Sequence, residues 1–442
     1  MKLYIATCLM TCLIPALQGK SQKIAYTEFD LKNGLHVILH EDHSTPIVAV
    51  TVMYHVGSKN ETAGRSGMAH FFEHLLFEGS DNIGRGQYSK YVENAGGGLN
   101  ANTSQDRTFY YDLLPSNQLE LGLWLESERM MHAKVEIIGI ETQREVVKEE
   151  KRLRIDNQPY GNLFLETLGH AFDVHPYSWP PIGSMEDLNA AQETDFQNFY
   201  KTFYVPNNAV LSIAGDITVE QTKLLVEKYF ADIPRGTIEI PRPTQVEPLN
   251  KGEVRDTVWG KDQLPLILEA FHIPAQGTKE FYAVDMLNKL LSDGESSRLN
   301  RSLVDEKELA IFASAFTYNT EHPGLTLSFS LANMGVDPKT VEDAMNLEFD
   351  RVKNELISDR EMQKLRNQVE NEFVTRNASV AGIAESLANY YMYLGDASLI
   401  NSEIERYLAV TKEDLKNAAN KYYTKENRVV LYFLNDPALG TK

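Results

Sequence analysis

A weak internal repeat constrains the fold more than any other feature of this 442-residue chain. Asp195, Asn198, Tyr204 and Asn208 recur as Asp414, Asn417, Tyr423 and Asn427, every pair 219 positions apart. A constant offset across a helical pattern and the strand-like run after it predicts two related halves. The stretch 235–249, with Pro241, Pro243 and Pro248 and little periodicity, reads as the linker between them. At roughly 150 residues per domain the length accommodates two such units. The expected organisation is an N-terminal domain over 24–234, the linker, and a C-terminal domain over 250–438.

Local patterning sets the fold class. Two alternating runs around Phe29 and Val37 flank Asn33-Gly34, a hairpin turn signal, and Ile47 to His55 reads as a third strand. Helical patterns cover 67–78, 87–95, 117–131 and 140–154, and 99–113 reads as one strand after Gly96-Gly97-Gly98. Strands, hairpins and helices are mixed, which predicts α+β: two sandwich-like domains, each a mixed, largely antiparallel sheet layered with helices.

Residues 1–20 have the layout of a secretory signal peptide, with Lys2, an apolar run from Leu3 to Leu17, and an exit with Gly19 and Ser21. Both cysteines, Cys8 and Cys12, fall inside it, so a processed chain holds no disulfide. Export, to a periplasm, is the expectation, and no later stretch is long and apolar enough to cross a bilayer. The balance of 43 Lys and Arg against 62 Asp and Glu, a formal charge of −19, argues against nucleic acid as a partner.

The chemistry-bearing segment is His70-Phe71-Phe72-Glu73-His74. Residues three and four apart share a helix face, so these three polar side chains project together. Two imidazoles at that spacing can hold one zinc ion, and Glu73 is placed to act as general base on water at that ion. The order His-x-x-Glu-His is the inverzincin pattern. A third protein ligand is sought in the acidic helix that contains Gln143, Glu145, Glu149 and Glu150. Gln143, Val146, Val147 and Glu150 share one face and Glu145 and Glu149 another; the face with two valines should point inward, which selects Glu150.

With these motifs in hand, the chain resembles the pitrilysin/insulinase family of zinc metallopeptidases, in the branch of the mitochondrial processing peptidase and its bacterial relatives. The resemblance rests on His70-Phe71-Phe72-Glu73-His74, on Arg144 to Glu150, on Asn100-Ala101 with Thr103, and on Tyr204 with Asn207-Asn208 leading to Gly215-Asp216. It implies one zinc ion per chain held by His70, His74 and Glu150, with Glu73 as catalytic base. It also implies a substrate-binding edge strand at Leu99 to Thr103, where Asn100 and Ala101 align a peptide by strand addition.

Two departures from the family pattern matter. Gln143 stands where the family has a glutamate seven residues before the ligand, and its amide is expected to accept a hydrogen bond from a ligand imidazole without adding charge. Val304 and Ile311 stand where self-sufficient relatives carry an Arg and a Tyr, and neither side chain can donate to an oxyanion; a shift in alignment would bring Arg301 or Tyr318 forward instead. The second half aligns Asp285, Asn288 and Lys289 with His70, Glu73 and His74. The expectation is an endopeptidase acting on peptides or unfolded segments, working as a heterodimer with a related chain that supplies the Arg/Tyr pair, or as a homodimer. The alternatives are a catalytically silent core subunit and a zinc-binding scaffold.

Overall fold

A computed structural model describes residues 23–248 and 252–438; the expected signal peptide lies outside them. Strands β1 (Thr27–Asp30) and β2 (His36–Glu41) form the hairpin at Asn33-Gly34, where Gly34 takes φ 89°. With β3 (Ile47–Tyr54), β4 (Gly98–Thr103), β5 (Thr108–Pro115) and β6 (Ala209–Gly215) they make a six-stranded sheet ordered β1-β2-β6-β3-β5-β4. The second sheet comprises β7 (Val254–Gly260), β8 (Leu266–His272), β9 (Ala310–Tyr318), β10 (Leu325–Ala332) and β11 (Arg428–Asn435), ordered β7-β11-β8-β10-β9. Without β1 the two orders coincide strand for strand, including the parallel pairs β2 with β6 and β7 with β11. The class is α+β in two related units.

The repeated identities sit at the joints. Asp195 and Asp414 accept the backbone N–H of Gln192 and Thr411, capping the helices Glu193–Phe203 and Lys412–Tyr422. Asn208 and Asn427 each donate to the last carbonyl of that helix, Phe203 O and Tyr422 O, at 2.8 Å. The same amides reach back to the ends of β3 and β8, at His55 O and His272 O. One asparagine thereby ties a helix end to two strands in each half.

The run 99–113 is not one strand. It reverses at Ser104 to Arg107, where Ser104 Oγ accepts the N–H groups of Asp106 and Arg107 and Ser104 N donates to Arg107 O. The turn carries no Gly or Pro, so a serine side chain does their work and the reversal is hidden in the pattern. The glutamate helix begins earlier than expected, at Ile137, and loosens into a π-helical turn at Arg152–Asp156.

Each sheet buries one face against helices of its own half and the other against a helix from its partner. Leu163, Leu168 and Phe172, from the helix Leu163–Ala171 and its C-cap, pack on Leu268, Ala270, Leu327 and Leu431 of the second sheet. Ile383, Ala384 and Leu387, from the helix Val380–Leu394, pack on Ile38, Ala49, Met53 and Ala214 of the first. Leu168 and Leu387 stand one repeat apart, so the exchange is itself part of the duplication. Central strands covered on both faces lose the polar alternation of a half-exposed sheet, which is why β3 and β6 read as apolar runs. Leu387→Ala should cost about 2–5 kcal/mol in urea unfolding and speed amide exchange in β2 and β6, in the half to which Leu387 does not belong. Faster exchange confined to the second half would contradict the exchange of helices.

Candidate metal centre

The helix Met68–Leu75 is fixed at its start, along its apolar face and from behind. Glu61 accepts the N–H of Gly67 and of Ala69, each at 2.9 Å, and the indole of Trp179 donates to the same carboxylate. Gly67 takes φ 91°, and a Cβ there would lie 2.9 Å from Ile182 O, so the entry admits only glycine. Ala69, Phe71, Phe72 and Leu75 are buried in the first core. Tyr110 Oη donates to Phe72 O at 2.8 Å.

Behind Tyr110 lies the buried guanidinium of Arg129, bound to Glu126 at 2.6 Å and packed against the rings of Phe77, Tyr88 and Tyr110 at 4.7, 4.4 and 4.3 Å. A second carboxyl, Asp112, shares this interior with Glu126.

From the other side of that helix His70 and His74 face Glu150, carried by the helix Ile137–Lys151. Glu150 Oε2 lies 3.6 Å from His70 Nε2 and 3.1 Å from His74 Nε2. One ligand atom from each of the three falls within 4.8 Å of the others. Val147 anchors the glutamate helix in the core, whereas Val146 is 44% exposed, so one valine and not two points inward. Glu145 and Glu149 turn to solvent and pair with Lys148 and Arg152.

The chemistry of these groups suits a divalent cation. Burial and neighbouring His74 push the His70 imidazole down to about 4, leaving it neutral with a lone pair to offer. His74 beside it holds the Glu150 carboxyl below its ordinary range despite burial. Among the described residues, Glu150 Oε2 is buried without an aligned hydrogen bond, which is costly for a polar atom unless an ion completes it. Two imidazoles and one carboxylate are a donor set that zinc accepts, with a coordination position left for solvent. Glu150 Oε1 is held at 2.8 Å by Arg154.

Glu73 sits beside the ligands with Oε2 accepting from Thr103 Oγ1 at 2.7 Å, and burial pushes its carboxyl up. Thr103 ends β4, an edge strand paired only to β5 among the described residues. From the sequence Thr103 is expected only as the end of the substrate-binding edge strand, not as a partner of Glu73. Asn100 is exposed, with Oδ1 on the N–H of Ala101, and Ala101 is buried. Gln143 does not reach the imidazoles: its amide donates to Glu78 Oε1 at 2.5 Å.

The second half carries the same frame with different chemistry. In the helix Lys279–Ser292, Asn288 donates to Thr317 Oγ1 at 2.8 Å, the counterpart of the Glu73–Thr103 bond. Lys289 Nζ binds Glu372 at 2.5 Å and lies 3.9 Å from Asp285, so an ammonium stands among the acids. Val304 packs against the second core, Ile311 is exposed on β9, and Arg301 is paired with Glu306.

Fold and site together define a duplicated metallopeptidase-like scaffold with one metal-competent half. Residues 36–172 match the family model described as insulinase (peptidase family M16), and residues 190–369 match the M16 inactive domain. The chain belongs to the insulinase family, peptidase family M16. Zinc protease PqqE of Helicobacter pylori is 31% identical over 97% of this chain and 97% of its own length. A probable mitochondrial-processing peptidase subunit beta of Arabidopsis thaliana is 24% identical over 90% of this chain and 76% of its own. The crystal structure of a protease from Helicobacter pylori superposes with a TM-score of 0.89 at 29% identity, covering 93% of this chain and 99% of that one.

The charges behind the histidine helix are testable. Burial pushes both Asp112 and Glu126 up, so folding favours their protonated forms and stability falls as pH rises above the usual carboxylate value of about 4. Arg129 opposes that trend. Arg129→Met should cost about 3–5 kcal/mol near neutrality and less at acid pH, where the carboxyls keep their protons. A loss equal at both pH values would assign the effect to packing alone.

Proposed function

We propose that this chain is an exported zinc-dependent endopeptidase that hydrolyses peptides or unfolded segments, with Glu73 as general base. The observation that carries the reading is the convergence of His70, His74 and Glu150 from two helices, with the Glu73 carboxyl beside them. His70, His74 and Glu150 would hold one zinc ion per chain, which when bound lowers the pKa of its water towards neutrality and polarises the scissile carbonyl. Glu73 takes the proton of the attacking water and returns it to the leaving amine. Thr103 occupies one Glu73 oxygen and leaves the other for that transfer. The open edge of β4 accepts an extended peptide as an added strand, with Asn100 and Ala101 setting its register and selectivity for side chains low.

The reading extends to a division of labour. Val304 and Ile311 offer no donor to an oxyanion, and Lys289 stands in the second half where His74 stands in the first. The chain therefore acts as the zinc-bearing subunit of a two-chain enzyme whose related partner brings an Arg/Tyr pair; a homodimer, which would not bring that pair, is the alternative. Among the described residues no helix is long and apolar enough to cross a membrane. Delivery to a periplasm is supported by the signal-like leader.

Glu73→Gln should retain one zinc per chain and lose about 10²–10⁴-fold in peptide hydrolysis. Undiminished turnover would remove Glu73 from the mechanism, and zinc binding without turnover in the wild type, alone or with its co-purifying relative, would favour a scaffold. Glu150→Gln should instead weaken zinc retention in a chelator competition about tenfold or more, because a neutral amide replaces the anionic ligand.

A further inference from the structure

The hairpin between β9 and β10 reaches from the second half into the first and ends in a buried cluster of charges. At its tip Glu321 binds Lys59, whose side chain is 1% exposed and whose Nζ also binds Asp106 Oδ1 at 2.7 Å. His55 Nε2 lies 2.6 Å from Glu321 Oε2, and Asp106 Oδ2 accepts the Glu321 N–H at 2.9 Å. Tyr177 Oη donates to Asp106 at 2.6 Å and accepts the N–H of His322 at 3.1 Å. His322 and His175 share a hydrogen bond at 2.9 Å. Burial alone would raise Glu321, yet His55 and Lys59 hold its carboxyl down at about 2, so Glu321 is ionised at any ordinary pH.

Two strands of this socket lead straight to the metal centre. Two residues beyond Lys59, Glu61 supplies the acceptors that start the histidine helix. Asp106 lies in the turn that follows β4, three residues after the Thr103 that holds Glu73. The two segments are laced together, with Ser58 N on Ser104 O at 3.2 Å and Lys59 N on Gln105 O at 3.0 Å. A buried lysine cannot be moved away from its carboxylates without a large electrostatic cost, so its position is set by both at once. One of the two comes from the half that has no metal ligands of its own.

We infer that the β9–β10 hairpin is a positioning element for the metal centre: Glu321, through Lys59, sets the start of the histidine helix and the end of β4. The second half then contributes to hydrolysis in the same chain without touching substrate or metal. The kinetic arm of the test rests on the peptidase reading; the exchange arm does not.

Glu321→Gln keeps the shape and removes the charge, and Glu321→Asp keeps the charge; both are made in the full chain. For the glutamine variant, amide exchange over residues 61–76 and 98–107 is expected to quicken about tenfold or more, with the helices Pro338–Asn354 and Asp359–Arg376 unchanged. In the zinc-loaded protein kcat should fall about tenfold while KM stays within about twofold, the mark of lost transition-state alignment. The aspartate variant should recover much of both. Unchanged exchange over 61–76 in the glutamine variant overturns the inference whatever the kinetics show. Quickened exchange with an unchanged kcat also overturns it and leaves the hairpin a packing element. If wild-type protein hydrolyses no peptide, either alone or with a related partner chain, the peptidase reading fails and the exchange arm alone decides the positioning.

Discussion

Neither sheet can hide both of its faces with helices from its own half, and that constraint governs the molecule. Val37, Val50 and Val52 meet their own helices while Ile38, Ala49 and Met53 on the reverse face meet Leu387 and its neighbours from the other half. Fully burying one such side chain contributes about 1.5–3 kcal/mol, so the apolar contacts across both sheets hold the halves together. The half without metal donors cannot then be shed, because the other half needs its helix.

Duplication also explains the asymmetry of chemistry. Both halves bond a helix to its edge strand through a threonine, Thr103 to Glu73 and Thr317 to Asn288. In the second half Lys289 and Glu372 neutralise each other across the two helices. In the first, two imidazoles meet one carboxylate, a donor set that suits a divalent cation. A few substitutions on one frame separate a self-satisfied ion pair from a metal site, while the frame itself persists.

Much of this was legible beforehand, for physical reasons. The repeat could be read because Asp195, Asn208 and their counterparts are joint residues, whose caps and cross-links tolerate few replacements. His70, Glu73 and His74 could be read because helical spacing fixes which side chains project together. Three features stayed hidden. The reversal at Ser104 to Arg107 uses a side chain in place of Gly or Pro. The exposure of Val146 depends on where the glutamate helix meets its neighbour, which amphipathic patterning does not specify. The contacts of Thr103 with Glu73 and of Gln143 with Glu78 depend on how separate elements dock, as does the socket for Glu321.

His70, His74 and Glu150, from two helices distant in sequence, are proposed to close on a single zinc ion. Zinc-edge X-ray absorption on purified protein tests it directly. The expected result is one zinc per chain, with scattering from two imidazole nitrogens and from oxygen donors at about 2.0–2.2 Å. Substoichiometric zinc, or a spectrum with no imidazole contribution, would contradict it.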